Sequence, residues 1–377
     1  MDRTTELNLI EELLGLKEEK THFLESAVEF NSVIHYQSDA VFRRERESLF
    51  ASLPAVAAHV SEISNPGDFV TREIAGRSLI VTRDSKGMAR AFLNVCRHRG
   101  TQLVSTGSGC QHRFTCPYHA WSYSNSGELL SAPHLDSGFP KLKKSQYSLK
   151  AVQCDERFGF IWVVSNPEIT IDFDQYYESI ATEAEALDLA DMAIAHEETK
   201  VHKSNWKILV EGGIESYHFK VAHRSTIGPY FEDNLSTYQM LGDHMRSVLM
   251  RSSMQTLRNF PQAQWHLRDH ANIVYTFFPT TQLLVQKDHV VWINSRPLSA
   301  GETELRLVTL APKDWLENDD YWEKNHRITS QTLSEDFMIG ESIQAGLATR
   351  ANDYMTFGRF EGALPQFNRV VKGYISD

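Results

Sequence analysis

Cysteine is scarce in this chain, with four among 377 residues, at Cys96, Cys110, Cys116 and Cys154. That is too few for a disulfide framework, so the expected setting is a reducing compartment. An excess of positive charge is also missing. The chain has 38 Lys and Arg against 49 Asp and Glu, a formal net charge of −11. General nucleic-acid binding draws on many phosphate contacts, and an acidic balance argues against it. No apolar run approaches the roughly 20 residues that a membrane span needs. The run MDRTTELNLIEELLGLKEEK lacks the cationic-then-apolar order of a secretory signal. The expectation is a cytoplasmic protein with neither a membrane nor a nucleic acid as partner. Internal repeats and low-complexity segments are absent as well. What is present, 41% apolar and 23% charged residues, is the composition of an ordinary folded enzyme.

Texture divides the chain. Leu7, Ile10, Leu13 and Leu14 fall at helical spacing with Glu6, Glu11 and Glu12 between them, and Ala40 to Phe50 is a second charged helical run. From Asn65 to Cys96, short Val, Ile and Phe-rich stretches alternate with Gly and Asp-Ser-Lys-Gly turns, and residues 148–165 repeat that texture. Asn166-Pro167 reads as a boundary. Residues 173–196 are acidic and rich in Ala and Leu, hence expected helical. Residues 272–312 predict three or four antiparallel strands with a turn at Ser299-Ala300-Gly301-Glu302. Residues 314–350 return to helix. The expected fold class is α+β: an N-terminal helical segment 1–44, a small antiparallel β domain 45–165, and a larger domain 166–377 with an antiparallel sheet flanked by helices.

Two constellations carry chemistry. The first is Cys96-Arg-His98-Arg-Gly100, followed by Cys116-Pro-Tyr-His119-Ala-Trp121. Each tight pair can chelate from one loop. Structural zinc bound by two Cys and two His is one reading. The other is a Rieske [2Fe–2S] cluster, with Cys96 and Cys116 on one iron and His98 and His119 on the second. Zinc fingers usually pair like with like along the chain; here each pair is mixed, which suits one ligand to each iron. Tyr118 and Trp121 are placed to shield the sulfurs. Cys110 and Cys154 lie outside the pairs and are expected as small buried hydrophobes.

CRHRG…CPYHAW closely resembles the Rieske signature of the Rieske non-haem iron ring-hydroxylating oxygenases, with Ala120 where Gly is common. The second constellation runs from Asn205-Trp-Lys207 through Glu211 and Glu215 to His218 and His223. Alone, two histidines five apart would sit ~140° apart on an ideal helix. The helix must therefore widen or end between them before they can share a metal. NWKxxxExxxExYHxxxxH resembles the catalytic iron motif of the same family, and SEDFMIGESIQ resembles its later carboxylate segment. The resemblance implies His218, His223 and Asp336 as a facial triad for mononuclear Fe(II), with Glu335 as the fallback ligand. It also implies a catalytic domain of the helix-grip type, beside the Rieske domain.

Glu215 stands where most of the family has an Asp that links the iron His to the Rieske His of a neighbouring subunit. Three residues before His218, it would share a helix face with it. Some similar members, including ones acting on trimethylammonium compounds, also carry Glu here. Gly212 stands where an Asn often follows the Glu. The implied protein is the terminal oxygenase of a multicomponent system, a head-to-tail homotrimer. It would take electrons from NAD(P)H through a separate reductase, with or without a ferredoxin, and use O2 on a small-molecule substrate. No dinucleotide fingerprint occurs in the chain itself. C–H hydroxylation, demethylation and ring dihydroxylation all use such machinery, and fold analogy does not choose among them. The alternatives are a Rieske electron carrier or redox sensor, and a zinc-stabilised binding protein. The substrate cavity is expected from residues 225–295. Tyr230, Phe231, Trp265, Tyr275, Phe277, Phe278 and Trp292 occur there, more often as sheet core than as a cation cage, with Arg246, Arg251 and Arg258 as candidate anchors for a substrate carboxylate.

Overall fold

The computed structural model describes residues 1–105 and 107–376. The chain divides into two compact units, one of residues 50–176 and 188–193, the other of residues 1–49, 177–187 and 194 onward.

In the first unit, three antiparallel strands, Asp68–Ile74, Arg77–Arg83 and Ala89–Leu93, form where the sequence predicts them, joined by Ser108–Cys110 as a fourth. Both faces of this sheet are buried. Leu79 and Val81 enter one core with Val70 and Ile161, while Ile80 enters another with Phe69, Phe114 and Trp121. Burial on both faces explains why Leu79 to Val81 reads as a continuous apolar run instead of an alternation. A three-stranded sheet of Gln153–Arg157, Phe160–Val164 and Ala55–His59 covers one face, and a small sheet, Arg113–Thr115, Ser122–Ser124 and Leu129–Ser131, carries the second metal loop. Cys154 is partly buried, but Cys110 is exposed on its edge strand, so the burial expected of it is not met.

The second unit is built on a seven-stranded sheet in the order Met192–His202, Glu302–Pro312, Val290–Ser299, Thr281–Val285, Ala271–Phe277, His244–Arg251, Phe231–Leu241. The four strands expected within 272–312 are present, and Ser299 pairs with Glu302 across the predicted turn. A 30-residue helix, Asp319–Ala348, follows. Helix Arg3–Glu18 is capped by the Asp2 side chain and buries Leu9, Ile10, Leu13 and Leu14, with Leu9 taking the place expected of Leu7.

Three expectations are corrected. The helix expected over 173–196 does not extend through its end, since residues 192–202 form a strand whose pairing with Glu302–Pro312 overrides local propensity. Strand Glu29–Ser32 pairs with Tyr354–Phe357 across most of the sequence, which no local pattern could reveal. The helix expected to widen or end between His218 and His223 ends earlier, at Gly212, within the run Asn205 to His223. The run is Trp206–Gly212, a non-helical stretch, and the single turn Phe219–Ala222. Among the described residues, no helix is long and apolar enough to cross a membrane.

Candidate active site

The two cysteine loops share one backbone design. Cys96 N–H donates to Thr101 O at 2.8 Å and Cys116 N–H to Trp121 O at 2.8 Å. In return, the amide four residues on, Gly100 or Ala120, donates to the cysteine carbonyl at 3.0 Å. Closing each loop this way needs a left-handed residue, and Gly100 (φ 84°) and Ala120 (φ 55°) supply it. Gly is therefore the easier residue at 120, and Ala120 carries a strain of about 1 kcal/mol.

Asn94 staples the first loop from within: its Oδ1 accepts from Leu103 and Val104 N–H at 3.1 Å, and its Nδ2 donates to Val104 O at 2.8 Å. Cys96 and Cys116 are buried and unpaired by any disulfide, whereas His119 is exposed and His98 half-exposed. The imidazole rings lie 4.8 Å apart between centroids. Trp121 is buried and stacks on His98 at 4.8 Å between centroids, whereas Tyr118 is exposed. The hydroxyl beside the sulfur belongs to Tyr123. It lies 3.4 Å from Cys96 Sγ and accepts from Arg97 N–H at 3.0 Å, which leaves its own proton for the thiolate. Strand alternation from Trp121 to Tyr123 was the available signal. Burial pushes the Cys96 thiol up in pKa, and the Tyr123 hydroxyl opposes that shift. Burial, with His119 and Arg99 nearby, lowers His98 and keeps its imidazole in the neutral, ligating form.

In the other unit, the Asn205 side chain caps helix Trp206–Gly212, whose residues through Glu211 are all buried. The chain then breaks, and His218 and His223 flank the single turn Phe219–Ala222. Gly228 locks this turn. Its amide donates to His223 O at 2.8 Å, and a Cβ there would stand 2.7 Å from Phe219 O and 2.8 Å from His223 O. Asp336 reaches the pair from the long helix. Its Oδ1 lies 2.8 Å from His223 Nε2 and 3.3 Å from His218 Nε2, and the three ligand atoms fall within 4.8 Å of one another.

Each imidazole is held from behind by a carboxylate. Glu335 Oε2 lies 2.7 Å from His223 Nδ1 and also accepts from Thr226 Oγ1 at 2.7 Å. Glu215 contacts His218 Nδ1, and its other oxygen accepts from the Tyr217 amide. Glu335 thus sits behind a histidine and not among the converging atoms. Glu215 makes its contact from non-helical backbone, so the shared helix face expected from spacing is not how they meet. Burial disfavours charge on His218, but the Asp336 and Glu215 carboxylates beside the ring outweigh it and push its pKa up to about 10. His223 is raised and Asp336 lowered by the same mutual contacts, against the cost of burial. Such a nest calls for a cation at its centre. His218 Nε2 makes no well-aligned hydrogen bond although it is buried. Two imidazoles and a carboxylate with an unsatisfied nitrogen suit ferrous iron, as two free buried thiols and two imidazoles suit a Rieske cluster.

A cavity of about 220 Å³ opens beside His223 and Asp336. One wall is the sheet, where the alternating residues Leu249 and Arg251, Asn272 and Val274, Gln282 and Leu284 share a face. The opposite wall is one stripe of the long helix, Asn325, Ile328, Thr332 and Asp336. A second cavity on the side of Glu215 and His218 meets it at Gly212 and Asp336. A Cβ at Gly212 would meet nothing within 4 Å, so there is room for the first atom of a side chain where the Asn is missing. Of the aromatics named within residues 225–295, Phe231 lines the cavity. Tyr230 is exposed, while Trp265, Tyr275, Phe277, Phe278 and Trp292 are buried as core and do not line it. They serve as sheet packing.

The sequence matches the family described as the ring hydroxylating alpha subunit (catalytic domain) over residues 189–377, and the Rieske [2Fe-2S] domain over residues 54–152. It is 28% identical over 331 residues to the carnitine monooxygenase oxygenase subunit of Escherichia coli (strain K12), covering 84% of this chain and 83% of that one. It is also 28% identical to the glycine betaine monooxygenase oxygenase subunit of Pseudomonas aeruginosa (strain UCBPP-PA14), covering 84% and 82%. A solved quaternary ammonium Rieske monooxygenase, described in terms of carnitine oxidation by gut microbiota and inter-subunit electron transfer, shares the fold. Its TM-score is 0.76 at 24% identity, over 93% of this chain and 96% of that one. The Rieske domain carries a [2Fe–2S] cluster and the catalytic domain a mononuclear iron, and the enzymes of this kind work with a separate reductase. The electron-carrier and zinc alternatives are not favoured. The chain belongs to the alpha, or terminal oxygenase, subunits of the Rieske ring-hydroxylating oxygenases.

Proposed function

We propose that His218, His223 and Asp336 hold the mononuclear Fe(II), that Cys96, Cys116, His98 and His119 hold the Rieske cluster, and that oxygen from O2 is inserted into a small molecule bound in the cavity beside His223. The observation that carries this reading is the approach of Asp336 Oδ1 to both Nε2 atoms, with a carboxylate behind each ring. When bound, the iron supplies the activation of O2, which no side chain here provides. The residues position. Glu215 and Glu335 hold the Nδ1 protons of His218 and His223 and so fix each Nε2 lone pair toward Asp336. The sheet face and the helix stripe enclose the substrate and exclude water. A cavity of about 150 Å³ admits benzene, so about 220 Å³ takes a somewhat larger molecule.

Glu215 also serves as the link for electrons from the cluster of a neighbouring subunit in a head-to-tail homotrimer. Its contact with His218 supports this, as do the exposed apolar side chains Tyr217 and Val221 on the same segment. The working division is 1–44, 45–165 and 166–377, and the compact units change over near the first of these borders, at Leu49 and Phe50. A cytoplasmic setting fits four free cysteines.

The test is single turnover. Protein reduced chemically without oxygen is exposed to O2 in the presence of quaternary amines, N-methyl compounds, aromatic carboxylates or neutral arenes. A substrate should speed reoxidation of the cluster and yield an oxygenated product. Glu215→Gln should keep both metals and slow the exchange of electrons between them. A variant that turns over at the wild-type rate removes Glu215 from the path.

A further inference from the structure

We propose that the cavity beside His223 and Asp336 binds its substrate through a carboxylate, held by the guanidinium of Arg251. The proposal rests on the oxygenase site described above and names its substrate class.

Arg251 ends strand His244–Arg251 and lines the cavity. Its Nε and Nη2 donate to Asn272 Oδ1 at 3.2 and 2.6 Å, and Nη2 also donates to Gln286 Oε1 at 2.8 Å. Both partners are neutral amides, and Nη1 makes no hydrogen bond to the described residues. The other two arginines of this stretch are spent. Arg246 is buried against Glu183, and Arg258 pairs with Glu11 and Glu18 at 2.7 Å each. Arg251 has no carboxylate within ion-pair distance among the described residues. The nearest charge acting on it, Asp269, lies beyond that distance and is 3.4 Å from Lys287. A half-buried guanidinium fixed by two amides, with both N–H of Nη1 unused, is organised to donate to an anion. Leaving it without a counter-charge is costly, and burial already pulls its pKa down.

The rest of the wall agrees. Arg251 and Asp336 are the charged side chains other than histidine in it, and Asp336 belongs to the metal nest. Burial, together with Arg268 and Arg251, lowers the pKa of His289 despite its contact with Asp288, so its ring is neutral. The wall also lacks a cage for a cation. Its aromatic side chains besides histidine are Phe219 and Phe231, and the guanidinium of Arg251 lies over the Phe231 ring, 5.7 Å from the centroid. That face is already taken by a cation. A ligand carrying only an ammonium would face Arg251 with no compensating partner.

Binding to the metal-loaded, reduced protein without O2, measured by calorimetry, tests this apart from turnover. The probes are benzoate, cyclohexanecarboxylate and hexanoate, each against its amide and a trimethylammonium compound of similar size. At least one carboxylate should bind about 10- to 100-fold more tightly than its neutral and cationic counterparts. Arg251→Gln should remove that margin, and Arg251→Lys should retain part of it. Visible absorbance and iron content of each variant report intact metal sites. If Arg251→Gln does not fold, the wild-type ranking and Arg251→Lys decide. The proposal is overturned if no carboxylate binds, if amides or ammonium compounds bind as well, or if Arg251→Gln leaves carboxylate binding unchanged. Loss of the oxygenase reading would look different: the protein would hold no mononuclear iron or form no product, whatever the ranking.

Discussion

The two metal-binding regions are built by opposite means. The cluster loops are made by backbone. Each closes on its own cysteine through two amide bonds and one left-handed residue, and the ligands lie two or three residues from that cysteine. The iron site is made by side chains from distant segments. The histidines come from a single turn that cannot bury itself, and Asp336 and Glu335 arrive from a helix more than a hundred residues later. A site made by backbone tolerates changes of side chain around it. A site made by converging carboxylates depends on each of them, because every removal leaves a buried partner unsatisfied.

The comparison breaks most sharply at Asp336. Asp336→Ala should abolish mononuclear iron and product formation while leaving the visible spectrum of the cluster intact; iron analysis beside absorbance checks it. Retained iron would transfer the ligand role to Glu335 and undo the assignment. A smaller loss separates ligand from support. Glu335→Gln removes the charge behind His223 but keeps a side chain that can meet Thr226, and it should weaken iron binding by about 10- to 100-fold. Competition with a chelator measures this. An unchanged affinity would make Glu335 a bystander.

The smallest effect is expected in the cluster loops. Ala120→Gly relieves a left-handed alanine, worth roughly 1 kcal/mol, but gives back about 0.4–1 kcal/mol in unfolded-chain entropy. Stability by denaturant titration should therefore move by less than about 1 kcal/mol, with the cluster retained. A larger loss would show that the Ala120 methyl packs, and the backbone account of these loops would fail there.

Legibility followed the same divide. The strands of residues 68–93 and 272–312 were readable because short β-rich runs and turn residues are local signals. Strand Met192–His202 was not, because only its partner at Glu302–Pro312 makes it one. The pair Glu29–Ser32 and Tyr354–Phe357 was hidden for the same reason. The aromatics of residues 225–295 serve mostly as core, the role favoured for them from sequence, but which one would reach the cavity was not legible, because sequence does not say which face each takes.

The sequence by itself determined the candidate ligand pairs, since Cys96 with His98 and Cys116 with His119 need only a tight loop to chelate. It also supplied His218 and His223, but not the single turn between them. The resemblance ranked Asp336 above Glu335, and only the tertiary structure shows where each side chain lies. Neighbours on a helix point ~100° apart, and packing alone turned Asp336 toward both imidazoles and Glu335 behind one. It likewise decided among Arg246, Arg251 and Arg258. Three arginines of equal chemistry became a buried ion pair, a cavity guanidinium and a surface bridge, according to whether a carboxylate reached them.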